Sequence, residues 1–248
     1  MSRAEMLNLV ERAGFVFRGK VARQGTSDSR LMRATEGKAA TVEVEEVLRS
    51  TDALRGLAGK EVIVMTEHPV EEKKALLFFA NVLELGAHVL LREVGRHEAS
   101  REAVRDLAEA IKVVEERPLQ RRVADADLIV TGRVTSSRRA ETPSVLRSEH
   151  DAEWWIARVA VQTAVKGTKP KGELEVLFAN STDIAWYRSP KLHEGASGVF
   201  ILRRVSQKEA VPEEARGIYE ATDPLDLLPS DRLQEVHRAL GHEKEERS

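Results

Sequence analysis

The chain repeats one of its own segments more than 100 residues further on. Residues 9–21 return as residues 122–134, an offset of 113 positions, with five positions matched. The matched pairs are Val10/Val123, Ala13/Ala126, Phe15/Leu128, Gly19/Gly132 and Val21/Val134. A repeat of this length is a whole small domain, whereas solenoid units span about 20 to 50 residues. The repeat therefore predicts two similar domains, each with a core of its own.

Composition agrees with two compact domains and narrows the function classes. Of the 248 residues, 42% are hydrophobic and 32% are charged, which is within the globular range. The 39 basic and 41 acidic residues leave a net charge of -2, so no overall field attracts DNA or an anionic membrane. The chain has no cysteine, which excludes disulfides and thiolate ligands and favours a reducing compartment. We therefore expect a cytoplasmic location.

The N-terminal residues do not look like a targeting segment. They carry acidic side chains and lack the apolar stretch of about seven or more residues that a signal peptide needs. They are also too polar for a membrane span, so no membrane partner is expected. A leader removed before Met1 remains an open alternative.

Each copy is predicted to begin with a short helix and to continue as short antiparallel strands. The helical faces consist of Met6, Leu9, Val10 and Ala13 in the first copy, and Leu119, Val123 and Ala126 in the second. The strands are predicted near residues 15–17, 40–48, 62–65 and 89–91, and near residues 128–130, 157–165, 176–178 and 199–202. Gly19 and Gly132 each follow a first strand and predict a bulge there, which helps a sheet to close.

Two further helices are expected outside the strands. Ser100 can cap a helix that Pro118 should stop, and a closing helix should run from Ser230 to Gly241. The predicted organisation is a first barrel with its helix at residues 1–98, a connecting helix at 99–117 and a second barrel with the closing helix at 118–248. A helix followed by about five short strands, the first kinked at glycine, is typical of a small OB-type barrel. We predict a mainly β fold with accessory helices, built from two tandem OB-like antiparallel barrels.

Several segments carry a family resemblance. Residues 126–134, 159–167 and 198–202 resemble the netrin-like or TIMP-like branch of the OB fold. The whole chain also resembles a group of bacterial proteins built from two such barrels. That second resemblance is carried by residues 148–151, 181–187, Pro190 and Lys191 in the second copy, and by residues 78–81 and 92–95 in the first. The resemblance implies the fold and no activity. Secreted netrin-like inhibitors bind a protease metal through an N-terminal cysteine, and that mechanism does not carry over to a chain without cysteine.

The two copies differ most in their aromatic and polar residues. All three tryptophans lie in the second copy, where Trp154 and Trp155 open the second strand. Side chains alternate along a strand, so one of these two should face the core and the other should face outward. The outward tryptophan predicts either a lid that packs against apolar surface or an exposed binding patch.

Polar residues of the second copy form the candidate site. Loops on a rigid scaffold commonly carry binding residues. The candidate binding residues are Ser148, Glu149, His150, Asp151, Trp154, Trp155, Asp183, Trp186, Tyr187 and Lys191, with His193 nearby in sequence. The structural alternative is that Asp183 makes a turn by bonding to the backbone and that Lys191 braces it.

Three function classes follow from these residues. The leading hypothesis is a non-catalytic binding or assembly module that presents loops of the second barrel to a protein partner, without metal, cofactor or catalytic residues. The alternative is a metal-dependent hydrolase that uses the loops of Glu149, His150, Asp151 and Asp183. Nucleic-acid binding is the least favoured class, because Glu43 and Glu45 lie on the outward side of a strand and aromatic residues are only 4% of the chain.

Overall fold

The structure is a computed structural model that describes residues 1–25, 38–86, 88–141, 152–183, 185–205 and 212–246. These residues form a mainly β fold with two sheets and accessory helices, which confirms the predicted fold class. Contacts within the chain divide it into two compact units, Met1–Glu115 and Glu116–Ser248. No helix in the described ranges is long and apolar enough to cross a membrane.

The first unit contains a closed five-stranded barrel. Its elements are a helix at Arg3–Arg12 and strands β1 at Phe15–Gln24, β2 at Ala39–Arg49, β3 at Glu61–Met65, β4 at Ala75–Leu85 and β5 at Val89–Glu98. The strands pair in the cyclic order β1-β2-β3-β5-β4, and only the β3–β5 pair is parallel. Because the ring is closed, each strand pairs with a neighbour on both sides, which limits association with the strands of other protein molecules.

The first barrel is filled by aromatic and branched side chains. Phe15 and Phe17 stack with ring centroids 4.8 Å apart, and Phe17 stacks on Phe78 at 5.1 Å. The alternate residues of the same strands face outward, where the helix Arg3–Arg12 covers them. Ser2 and Glu5 cap that helix reciprocally, which satisfies backbone N–H groups that the first turn would leave unpaired.

The second unit contains a six-stranded sheet. The connecting helix Arg101–Ala124 leads into it, and a closing helix follows at Leu233–Glu246. The strands are β6 at Leu128–Arg139, β7 at Trp154–Lys166, β8 at Leu174–Ala179, β9 at Ser197–Arg204, β10 at Tyr219–Ala221 and β11 at Leu227–Leu228. Five of them pair in the cyclic order β6-β7-β8-β10-β9, and only the β8–β10 pair is parallel. This is the pairing order of the first unit.

The irregularities of the two first strands also match. In β1 the register with β2 shifts between Val16 and Phe17, between Arg18 and Gly19, and between Val21 and Arg23. In β6 the register with β7 shifts at three places that lie 113 residues later, as in the repeat of the sequence. Bulges that coincide in this way set the same bends in both sheets. The predicted glycine bulges are therefore present in both units.

The prediction for the last strands was wrong in one respect. Residues 199–202 lie in β9, which pairs with β6. In the first unit the strand that pairs with β1 in this way is β4. The counterparts of residues 199–202 are therefore residues 77–80 and not residues 89–91. The counterpart of β5 is divided into β10 and β11 by a turn around Asp226. Strands of three and two residues are too short to show an alternating pattern, which is why the sequence did not reveal them.

The predicted ends of two helices were also wrong. Pro118 lies inside the connecting helix, and Gly241 lies inside the closing helix. A proline inside a helix costs about 3 kcal/mol because one backbone hydrogen bond is lost. Packing offsets this cost, since Leu107 is buried in the first unit's core and Val123 in that of the second.

Val44 and Val161 are counterparts in the two units that differ in burial. They pair with Gly19 and Gly132 respectively, yet Val44 is fully buried whereas Val161 is only partly buried. In the first unit the 3-10 turn Asp52–Leu57 adds buried leucines to the core cluster that contains Val44. The matching connection in the second unit, residues 167–173, contains no such apolar side chains.

Candidate functional site

Only part of the predicted site falls on the described residues. Ser148, Glu149, His150 and Asp151 lie outside them. The remaining candidates belong to two places in the second unit, the start of β7 and the segment between β8 and β9. We define the 181–191 loop as residues 181–183 and 185–191 of that segment.

Trp154 and Trp155 face opposite sides of β7, as the alternation predicts. Trp155 packs against the barrel core, with its ring centroid 6.4 Å from that of Phe178. Trp154 faces the other side but is only 7% exposed, because it packs edge-on against Trp186 with centroids 5.4 Å apart. Ile156 lies in the same outer cluster. The outward tryptophan is therefore a lid on the outer face of the sheet, and neither residue forms an exposed patch.

Asp183 organises the beginning of the 181–191 loop. Its Oδ1 atom accepts a hydrogen bond from the backbone N–H of Ala185 at 2.8 Å. Its backbone oxygen accepts from the N–H groups of Trp186 and Tyr187 at 2.9 and 2.8 Å. A side-chain bond of this kind is the usual way in which aspartate stabilises a turn. Asp183 thus has the turn-making role that was the structural alternative to metal ligation.

Lys191 holds the end of the same loop. Its Nζ atom donates to the backbone oxygens of Ala179, Ser181 and Trp186 at 2.6, 2.9 and 3.1 Å. An ammonium has three N–H donors, so these three bonds use all of them. Burial lowers the pKa of the Lys191 ammonium. The lysine therefore braces backbone at three points, rather than acting through Asp183 as the sequence suggested.

Tyr187 is the exposed residue among the candidates that the structure describes. Its side chain is 61% exposed, although its neighbour Trp186 is partly buried against Trp154. On the other side, the Ser189 hydroxyl donates to the backbone oxygen of Thr222 at 2.8 Å. The loop therefore holds an exposed phenol between two anchored residues. Arg188 next to it is also exposed.

The chemistry expected of a hydrolase is not assembled in the described part of the chain. No group of three or more His, Asp and Glu side chains is placed there to hold a metal ion. Asp183 is engaged in the turn, and His193 is exposed while its backbone N–H bonds to the oxygen of Lys191.

A polar group inside the first barrel was missed by the sequence reasoning. Val64 pairs with Leu91, and both belong to the barrel core. Thr66 and Glu93 each lie two residues further on, so alternation turns them to the same inner side. Arg96 pairs with the core residue Phe78 and contacts Glu93. We refer to Thr66, Glu93 and Arg96 as the inner polar trio.

The members of the inner polar trio differ in how well their hydrogen-bonding groups are satisfied. Nη1 of Arg96 donates to Oε2 of Glu93 at 2.8 Å and to the oxygen of His68 at 3.3 Å, and Nη2 donates to the oxygen of Pro69 at 3.3 Å. Thr66 is 3% exposed, and its hydroxyl has no hydrogen-bond partner among the residues that the structure describes. Burial raises the pKa of the Glu93 carboxyl, while Arg96 opposes that rise. In the sequence, residues 92–95 stand out only for their family resemblance. Which residue of the second unit corresponds to Glu93 becomes clear only from the strand pairing.

A buried ion pair supports the divided last strand of the second unit. Arg122 of the connecting helix binds both carboxylate oxygens of Asp226, and its Nη2 lies 2.6 Å from Oδ2. The backbone N–H groups of Thr222 and Asp223 donate to the same oxygen at 2.7 and 2.8 Å. Burial raises the pKa of Asp226, and these donors act against the rise. Every oxygen of the carboxylate is bonded, which indicates a structural role.

Comparison with known proteins adds no assignment to these sites. No protein-family model matches the chain, and no curated protein is similar to it at a significant level.

Proposed function

We propose that the chain is a non-catalytic binding module whose second unit presents the 181–191 loop to a protein partner. The observation that carries this proposal is the exposure of Tyr187 on a loop that is braced at both ends. Tyrosine combines a large apolar ring with a hydroxyl, and it is enriched among the residues that dominate binding energy at interfaces.

The bracing matters because a preordered loop loses less entropy on binding. Ordering a loop and its side chains at an interface costs about 0.5 to 1.5 kcal/mol for each flexible side chain. Asp183 and Lys191 fix the backbone on both sides of Tyr187 before any partner arrives. The Trp154–Trp186 contact then anchors the residue next to Tyr187. Because the backbone of this loop is already ordered, little further entropy is lost in ordering it when the tyrosine binds a partner.

We further propose that both units are OB-type barrels that arose by duplication. The cyclic pairing with one parallel pair, the matched bulges and the repeat of the sequence support this relation. The closer assignment to the netrin-like branch rests on the sequence resemblance. A cytoplasmic location remains part of the proposal, supported by the absence of cysteine.

The proposal is tested with two variants and a matched control. Tyr187→Ala removes the exposed ring, and Lys191→Met removes the brace while keeping a similar length. Leu85→Ala, in the first unit, removes an apolar side chain of similar exposure, 57%. For a partner captured by the wild-type chain, we expect Tyr187→Ala to weaken binding about tenfold or more, since an interface anchor contributes about 2 kcal/mol. Loss of binding with Leu85→Ala but not with Tyr187→Ala would overturn the proposal.

A further inference from the structure

The inner polar trio is not needed to close a barrel of this kind. The register of β3 with β5 ends at Met65 and Arg92, and its continuation by one residue aligns Thr66 with Glu93. In the second unit, the corresponding pair is Phe178 with Ala221. Likewise Leu227 pairs with Phe200, as Arg96 pairs with Phe78. The counterparts of the polar trio are therefore the apolar residues Phe178, Ala221 and Leu227, which all pack in the core of the second unit.

The second unit also has a pair of contacting aromatic side chains whose counterparts in the first unit are not aromatic. Trp155 pairs with Phe178, and their rings contact each other. In the first unit the backbone N–H of Thr66 donates to the oxygen of Lys38 at 3.1 Å, so Lys38 stands where the second unit has Trp155. Lys38 is exposed, whereas Trp155 is partly buried. Two aromatic rings are thus replaced by a small hydroxyl and an exposed lysine.

The groups left unpaired in the trio are oxygens. Both terminal nitrogens of Arg96 already donate to Glu93 or to backbone oxygens. Within the described residues, Oε1 of Glu93 receives no hydrogen bond, and the buried hydroxyl of Thr66 has no partner. Of these two oxygens, the Thr66 hydroxyl is the buried one, and a buried polar group without a partner is destabilising. A ligand that bonds both oxygens has to bring N–H or O–H donors for the carboxylate, while the hydroxyl can accept or donate.

The charged groups around Glu93 are of both signs: Glu67 raises the pKa of its carboxyl, whereas Arg96 and His68 lower it. The oxygen of Glu93 that receives no hydrogen bond belongs to a carboxylate, which bonds a charged donor more strongly than a neutral one. We propose that the inner polar trio binds a small primary ammonium ion, held by the Glu93 carboxylate and the Thr66 hydroxyl. A primary ammonium is a compact charge with three donors, so it can bond both oxygens together. This site belongs to the first unit and is independent of the Tyr187 loop.

The test is a titration of the full chain with butylammonium chloride, followed by NMR shifts of backbone amides. Butan-1-ol serves as the neutral ligand of similar shape, and sodium butyrate serves as the ligand of opposite charge, both at matched ionic strength. We expect saturable shifts at residues 64–69 and 91–96 with butylammonium only, at a Kd on the order of millimolar for a ligand this small. Equal binding of butanol or butyrate would overturn the proposed ligand class.

Variants locate the site and separate binding from folding. Glu93→Gln keeps the size of the side chain and removes its charge, and Thr66→Val keeps the shape and removes the hydroxyl. We expect Glu93→Gln to weaken butylammonium binding about tenfold, and Thr66→Val about threefold or more. Glu84→Gln, at an exposed acid of the same unit, should bind as wild type does.

A third variant transplants the second unit's residues. The triple change Thr66→Phe, Glu93→Ala and Arg96→Leu should leave a folded barrel that no longer binds butylammonium. Should that variant fail to fold, the Glu93→Gln titration still decides. If Glu93→Gln binds as wild type does, or if wild type shows no shift up to about 50 mM, the trio holds water only and the proposal is wrong.

Discussion

Gly19 and Gly132 occupy the same position in the two units and are confined by the same neighbours. A Cβ atom at Gly19 would lie 2.6 Å from Cγ1 of Val42 and 2.9 Å from the oxygen of Glu43. At Gly132 it would lie 2.9 Å from Cγ1 of Val159 and 2.8 Å from the oxygen of Ala160. The two strands therefore approach each other closely at a point where only glycine fits.

The first prediction concerns this close approach. Gly132→Ala should lower the free energy of unfolding of the second unit by about 1 to 3 kcal/mol, because the new methyl group overlaps backbone. Gly241→Ala is the matched control, since that glycine lies in a helix and, among the described residues outside its own helix turn, no atom lies within 4 Å of an added Cβ. It should raise stability by up to about 1 kcal/mol. Chemical denaturation measures both, and a stable Gly132→Ala variant would contradict the close approach.

A second prediction concerns the phase of β7. Val159 is fully buried and Val161 only partly, so Val159→Asp should unfold the second unit, whereas Val161→Asp should only weaken it. An unpaired buried carboxylate costs several kcal/mol, which is comparable to the whole stability of a domain. Thermal melts of the two variants check this order. Equal melting temperatures would show that the strand faces differ from those described.

The third prediction concerns the buried pair of Arg122 and Asp226. Asp226→Asn should destabilise the second unit by about 3 to 5 kcal/mol, because it leaves the guanidinium buried without its charge partner. The double variant Arg122→Met with Asp226→Asn should be less destabilised than the sum of Arg122→Met and Asp226→Asn alone. Denaturation of all four members of the cycle gives the coupling energy. A coupling energy near zero would contradict the pairing.

The fourth prediction concerns pH. The pKa of Glu93 in the folded chain is raised above its ordinary value of 4.5, mainly by burial, with Arg96, Glu67 and His68 as its charged neighbours. The folded state therefore binds more protons than the unfolded state, so the contribution of Glu93 to stability is lost as pH rises through the raised pKa. Relative to Glu93→Gln, wild type should lose unfolding free energy as the pH rises from below the ordinary value of 4.5 through the raised pKa of Glu93. A constant difference across this range would contradict the raised pKa.

Sequence periodicity predicted the parts of the fold that depend on regular burial. The faces of the first helix, the glycine bulges and the opposite orientation of Trp154 and Trp155 all follow from spacing along the chain. The division of the last strand does not, because β10 and β11 are too short to show alternation and are held by the buried Asp226. The continuation of the helix through Pro118 was not predicted, because the packing of the residues before and after Pro118 outweighs the tendency of proline to end a helix.

The candidate site was predicted only in part, because the roles of its residues depend on neighbours that are distant in the sequence. The sequence pointed to the second copy because its tryptophans and polar loops are conspicuous. Their roles depend on three-dimensional neighbours: Trp154 is covered by Trp186, and Lys191 bonds to three backbone oxygens. The inner polar trio was hidden because Thr66 and Glu93 are 27 positions apart and become neighbours only through the parallel pairing of β3 with β5.

The most direct test of the proposed function is photo-crosslinking from the position of Tyr187. A chain with Tyr187→p-benzoylphenylalanine is irradiated with native lysate, beside a chain with the same group at Lys171, an exposed residue of the same unit. We expect one dominant protein adduct from position 187 and none of that mass from position 171. Excess unlabelled wild type should suppress the adduct, and excess Tyr187→Ala should not. No adduct at position 187, or equal suppression by both competitors, would contradict a binding role for this loop.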